Sequence, residues 1–97
     1  MGLVFEWDAK KAKSNLAKHG ISFEEAATTF KDEDQITFED DSNSYGEVRY
    51  LSIGMSVNLH LLLVVHTELD IRDSMICIRI ISARKATRAE IKAYEKN

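Results

Sequence analysis

His66 and Glu68 alternate along an aliphatic run, and Arg79 interrupts a second run between Ile78 and Ile80, with Arg84, Lys85 and Arg88 close behind. An imidazole beside a carboxylate is suited to moving protons near neutrality. A guanidinium cannot serve as a practical acid, but its planar fork stabilises phosphate charge. Inside an apolar strand it must snorkel, pair with a carboxylate, or wait for an anion. Together these groups suit phosphodiester transfer without a metal. In that reaction the 2′-hydroxyl of RNA is the nucleophile, and the protein supplies a base, an acid and cations for the crowded phosphorane. DNA lacks that hydroxyl, so the chemistry would be confined to RNA.

Each residue also has a structural explanation. Arg79 could pair with Glu68 or Glu39 across a sheet. His66 could be a surface histidine, and His60 is unremarkable. His19, beside Gly20, suits a helix C-terminus, where cations complement the dipole. Lys10, Lys11, Lys13 and Lys18 could be a solvated face, an RNA track or a partner surface. Asp32, Glu33, Asp34, Glu39, Asp40 and Asp41 lack an EF-hand pattern and read as turn and loop acids. Three scattered histidines and one cysteine give no zinc spacing. Gly2, Gly20, Gly46 and Gly54 are isolated, so no phosphate loop or nucleophile elbow is present, and no cofactor is expected.

The elements that must position these groups follow from periodicity. Residues 3–7 read as a strand, and Asp8 caps a helix that runs to about Lys18 and ends at Gly20. Ser22 and Glu25 form a capping box for a second helix with Phe23, Ala26, Ala27 and Phe30 on one face. Period-two patterning then predicts strands at 35–39, 47–53, 59–68 and 75–83, with loops at 40–44 and 69–74. Thr87 and Glu90 cap a final helix through Tyr94. The order β-α-α-β-β-β-β-α predicts an α+β fold with a mainly antiparallel sheet and helices on one face. Leu59, Leu61, Leu63 and Val65 share a uniformly aliphatic side, which is expected to lie under the helices. His66 and Glu68 would then look outward. Ile76, Ile78 and Ile80 pointing into the core would bring Arg79 out on the face of His66, with Arg49 as a secondary cation.

Ninety-seven residues, 44% apolar and 30% charged, suit one globular unit spanning 1–97. No run approaches the ~20 apolar residues that cross a bilayer, and the N-terminus has no signal-peptide pattern. A lone Cys77 in an apolar segment suits a reducing cytoplasm. The net charge of -3 hides an asymmetry: +2 over residues 1–20, -8 over 21–47 and +3 over the rest. Binding nucleic acid through a global field is disfavoured; a local basic cleft is not.

Two long motifs add a resemblance. The first is Phe5-Glu6-Trp7-Asp8, Lys11, Asn15 and Lys18-His19-Gly20-Ile21-Ser22-Phe23-Glu24-Glu25-Ala26. The second is Ile78-Arg79-Ile80-Ile81-Ser82-Ala83-Arg84-Lys85-Ala86-Thr87, with Tyr94-Glu95 closing the final helix. With Gly46-Glu47, Arg49, Ile53-Gly54 and His66-Thr67-Glu68 between them, they resemble the BrnT family of bacterial type II toxins over nearly the whole chain. The resemblance implies a RelE-like fold and a ribonuclease that arrests translation and growth. It also implies a BrnA-type ribbon-helix-helix antitoxin that reaches operator DNA and represses the operon as a complex. Carried over by motif, His66, Glu68, Arg79, Arg84 and Arg49 are the expected catalytic set. Lys11, Lys18, His19, Lys85 and Arg88 are expected to contact RNA. One departure is Leu69, where relatives often place an arginine after the Thr-Glu pair; Arg72 is the nearest replacement cation. The rival expectation is a non-catalytic binding module that acts in a transcription-repressing complex.

Overall fold

Asp8 starts the first helix, α1 (Ala9–His19), by accepting the backbone N–H groups of Lys10 and Lys11 at 2.8 and 3.1 Å. Gly20 ends it in the left-handed conformation, φ 72°, which only glycine adopts without penalty. Ser22 then accepts the Glu25 N–H to open α2 (Phe23–Thr28), which runs into a 3₁₀ turn at Thr29–Lys31. Only half of the expected capping box forms there. The Glu25 carboxylate instead accepts from Ser56 Oγ at 2.6 Å and meets His60 Nδ1 at 2.7 Å, which pins the loop after the third strand. The box of α3 (Arg88–Glu95) is complete, with Thr87 and Glu90 bonded reciprocally.

This computed structural model describes residues 2–40 and 46–96. Besides the helices it contains β1 (Gly2–Glu6), β2 (Ile36–Asp40), β3 (Arg49–Met55), β4 (Leu61–Arg72) and β5 (Met75–Lys85). They form one sheet in the order β1-β5-β4-β3-β2. β1 runs parallel to β5, and every other pair is antiparallel. The α+β class and the element order are those the sequence predicts. The expected loop at 69–74 is instead a hairpin arm. β4 continues to Arg72 and turns through Asp73 and Ser74, φ 47° and 68°, the pair of positive angles that a two-residue turn requires. Of the expected loop at 40–44, Asp40 ends β2 and residues 41–44 lie outside the described residues.

The helices divide between both faces of the sheet, where one face was expected. Ile21, Phe23 and Ala26 pack with Leu62, Val64, Ile78, Ile80 and Ala83 to form the core. The opposite side of the same strands carries Leu51, Ile53 and Leu63, which meet Ala89 and Ala93 of α3. Because Leu62 pairs with Gly54 and Leu63 with Ile53, the two sets alternate through the sheet. The inner face therefore lies beneath α1 and α2, and the outer face is partly covered by α3. A register shift at Val65/His66, where Ser82 opposes Val65 but Ile80 opposes His66, keeps Ile80 and Ala83 both inward.

β1 stops at Glu6, opposite Arg79, and leaves the rest of the β5 edge without a strand. Asn15 fills that position. Its Nδ2 donates to Ala83 O at 2.8 Å and to Ile21 O at 2.9 Å, and its Oδ1 accepts from Ala83 N–H at 3.1 Å. One carboxamide thus stands in for a strand residue and fixes α1 along the edge of β5. Asn15→Ala should lower stability by about 3 kcal/mol, because it strands buried polar groups of Ala83 and Ile21; urea denaturation measures this. Asn15→Asp should be at least as harmful, since a carboxylate has no N–H for the two carbonyls.

Candidate functional site

Fixing α1 beside β5 creates a groove of about 310 Å³ lined by Lys10, Lys11, Ser14, Lys18, His19 and Ser82. Residues 10, 11, 14 and 18 share one side of a helix, so the expected cations Lys11, Lys18 and His19 are brought together. Lys10 was weighed only as one of the helix lysines and left out of the expected contact set, as were Ser14 and Ser82. The regular four-residue spacing of 10, 14 and 18 could have found the first two. Ser82 could not be found without knowing that the edge is open.

Arg79 extends this cationic line at the N-terminal end of α1. It lies on the outer face, opposite the core residues Ile78 and Ile80, with its side chain 43% exposed. The Lys11 and Lys10 backbone N–H groups, with the Lys11 and Arg79 charges behind them, hold Asp8 below the usual carboxylate value. Both cations therefore act on one carboxylate, which joins the groove to Arg79. The partner of Arg79 is Glu6, at 3.6 Å. Arg84 shares the outer face but is engaged: its two terminal nitrogens donate to both Glu90 oxygens at 2.8 and 2.9 Å. Lys85 and Arg88 lie exposed where β5 passes into α3. Arg49 lies across from Asp40 in the β2–β3 register, away from the groove, and its Nε is buried without a hydrogen-bond partner.

The expected outward placement of His66 is overturned. Its ring is 0% exposed and lies on the inner face, edge-on to Phe30 at 5.0 Å and stacked on Tyr50 at 5.8 Å. The aliphatic parity of 59–65 misled because α3 buries the outer face as well, so both sides of β4 are apolar. Arg79 and His66 therefore point to opposite sides of the sheet. His66 Nε2 lies 2.7 Å from Ser52 Oγ, which lies 2.8 Å from Thr37 Oγ1. Glu68 Oε2 is 3.8 Å from Nδ1, and burial followed by the Asp70 charge raises its carboxyl. Ser52, His66 and Glu68 have the order of a nucleophile–base–carboxylate relay, but Ser52 is fully buried, so no substrate reaches it in this conformation. Among the described residues, no group of three or more histidine, cysteine or acidic side chains is placed to hold a metal ion.

The chain matches the family model described as "Ribonuclease toxin, BrnT, of type II toxin-antitoxin system" over residues 7–90. It therefore belongs to the BrnT ribonuclease toxin family of type II toxin–antitoxin systems. Among solved structures it is similar to the Brucella abortus ribonuclease toxin BrnT. The two share 22% identity and a TM-score of 0.59, with 91% of this chain and 100% of that one covered. At that identity the likeness is one of fold. No curated protein matches the chain. Among the described residues, no helix is long and apolar enough to cross a membrane.

Burial pushes the His66 imidazole down from 6.5 to about 4, only partly offset by the Thr67 backbone. An unfolded imidazole takes up its proton below about 6.5, whereas the folded one resists until about 4. Its contribution is therefore fully present above pH 6.5 and lost as pH falls through that window, by about 3 kcal/mol in total. Denaturation midpoints measured across that range should flatten in His66→Gln relative to the wild type.

Proposed function

We propose that this protein is a metal-independent endoribonuclease that cleaves RNA in the cytoplasm and so stops translation and growth. A BrnA-type ribbon-helix-helix antitoxin neutralises it, and operator DNA is reached only through that complex. The observation that carries this reading is the line of cations from Lys18 and His19 through Lys11 to Arg79 on a net acidic chain. A polyanion laid along α1 would meet positive charge at successive turns, with the Ser14 and Ser82 hydroxyls beneath it. Arg79 is the phosphate-stabilising cation, because it stands on an open face in only a loose ion pair. Arg84 assists from the α3 side, while Lys85 and Arg88 extend the track at the β5–α3 junction.

His66 and Glu68 support the sheet in this proposal. His66, sealed on the inner face, has no route to a phosphate held by Arg79; Glu68 reaches the rim of a groove that Arg79 also lines but is turned toward the imidazole. Arg49 likewise belongs to the β2–β3 end. Residues 1–97 act as one unit, and an antitoxin that dimerises would carry two toxin copies.

Expression without an antitoxin in bacteria should halt growth for the wild type and spare it for Arg79→Ala. Purified wild type should cut single-stranded RNA in EDTA, and its affinity for RNA should fall steeply with salt. Equal tolerance of both forms in cells, with no cleavage in vitro, would favour the non-catalytic binding module.

A further inference from the structure

Glu6 ends β1 in register with Arg79 across the parallel β1–β5 pair, and its Oε1 stands 3.6 Å from the guanidinium Nη1. The two side chains are 54% and 43% exposed. At that separation the contact is electrostatic, without a short hydrogen bond, so the carboxylate keeps lone pairs for a third group. Both residues open onto a groove of about 390 Å³, whose walls also include Glu47, Val48, Thr67, Glu68, Leu69 and Cys77. That is room for the ribose and base of a nucleotide whose phosphate rests on Arg79. The neighbouring Cys77 feels the carboxylate too: burial, then hydrogen bonding to Glu6, then the Glu6 charge push its thiol up.

His66 is sealed on the inner face. Glu47 and Glu68 also line the groove, but Glu68 lies 3.8 Å from His66 Nδ1, whereas Glu6 is the carboxylate that meets Arg79. Asp8 is engaged by two backbone N–H groups. His19 closes an 11-residue helix, about 16 Å from the Asp8 end. We propose that Glu6 is the general base of RNA cleavage, taking the proton of the attacking 2′-hydroxyl while Arg79 holds the non-bridging phosphate oxygens. This rests on the RNA-cleaving reading above.

The step balances with water alone. The 2′-hydroxyl proton moves to the Glu6 carboxylate, and the freed oxygen pair forms the new bond to phosphorus. The bond from phosphorus to the 5′-oxygen breaks, and its electron pair stays on that oxygen, which takes a proton from water. Protonated Glu6 returns its proton to the hydroxide left behind. The products are a 2′,3′-cyclic phosphate and a 5′-hydroxyl end.

The test compares wild type, Glu6→Gln and Glu6→Asp on a labelled single-stranded RNA of mixed sequence, with the all-2′-deoxy strand as a binding probe. Wild type should leave cyclic phosphate ends. Glu6→Gln should cleave roughly 100-fold more slowly or worse. It should bind the deoxy probe as tightly as wild type or more so, since Arg79 is released. Glu6→Asp, which keeps a carboxylate, should recover part of the rate. An active wild type with an equally active Glu6→Gln overturns the proposal and leaves Glu6 as a restraint on Arg79. Parallel loss of binding and cleavage in Glu6→Gln also overturns it, in favour of a structural role. An inert wild type removes the RNA-cleaving reading itself, and the base with it.

Discussion

A single carboxamide sets the arrangement of this molecule. β1 is too short to cover β5, and an uncovered strand edge offers unpaired backbone groups that must find partners. Asn15 meets that need from a helix, satisfying both polar groups of Ala83 and the carbonyl of Ile21. Because the bond is made from the middle of α1, it sets both the distance and the rotation of the helix. Lys11 and Lys18, four residues before and three after, are turned to the same edge. The cationic groove is therefore a by-product of how a sheet edge is closed.

The inner face shows what burial does to polar side chains. Thr37, Ser52 and His66 form a short chain of hydroxyls and imidazole under the aromatic rings of Phe30 and Tyr50. A neutral imidazole is acceptable there; a charged one is not, and the ring stays neutral well into acid. Around the β3–β4 loop a comparable cluster is ionised. Burial opposes the charge on Glu25, but Ser56, His60 and Asn58 outweigh it and hold the carboxylate below its usual value. The two clusters differ in the number of donors available to the charged form.

Much of this could be read from the chain, and the gaps have physical causes. Asp8, Gly20, Ser22, Thr87 and Glu90 mark helix ends through local bonds, so their roles were legible from neighbouring residues alone. Arg79 was correctly placed on the outer face because isoleucine alternation on β5 holds up to the bulge. The orientation of β4 was not legible. An aliphatic run states that both sides are apolar but not which helix covers which side, and α3 lies beyond the strand in sequence and on the far face in space. The pairing of Glu6 with Arg79 was equally hidden, because the two lie more than seventy residues apart and only the parallel pairing brings them together.

The last helix is attached in a different manner from the other two. No residue of α3 is buried, whereas α2 sinks Phe23 and Ala26 fully into the core. What holds α3 is polar at each end: the fork of Arg84 on Glu90, and Tyr94 donating to Asp32 at 2.6 Å, a bond that pushes the phenol up to about 12. An element secured by such latches has a lower opening free energy than one secured by hydrophobic burial, and ionic strength weakens one latch without touching the core. Opening the C-terminal helix α3 therefore costs less than opening α2. Whatever grips or releases that terminus also governs whether the Arg84 guanidinium is occupied by its own chain or offered to another molecule.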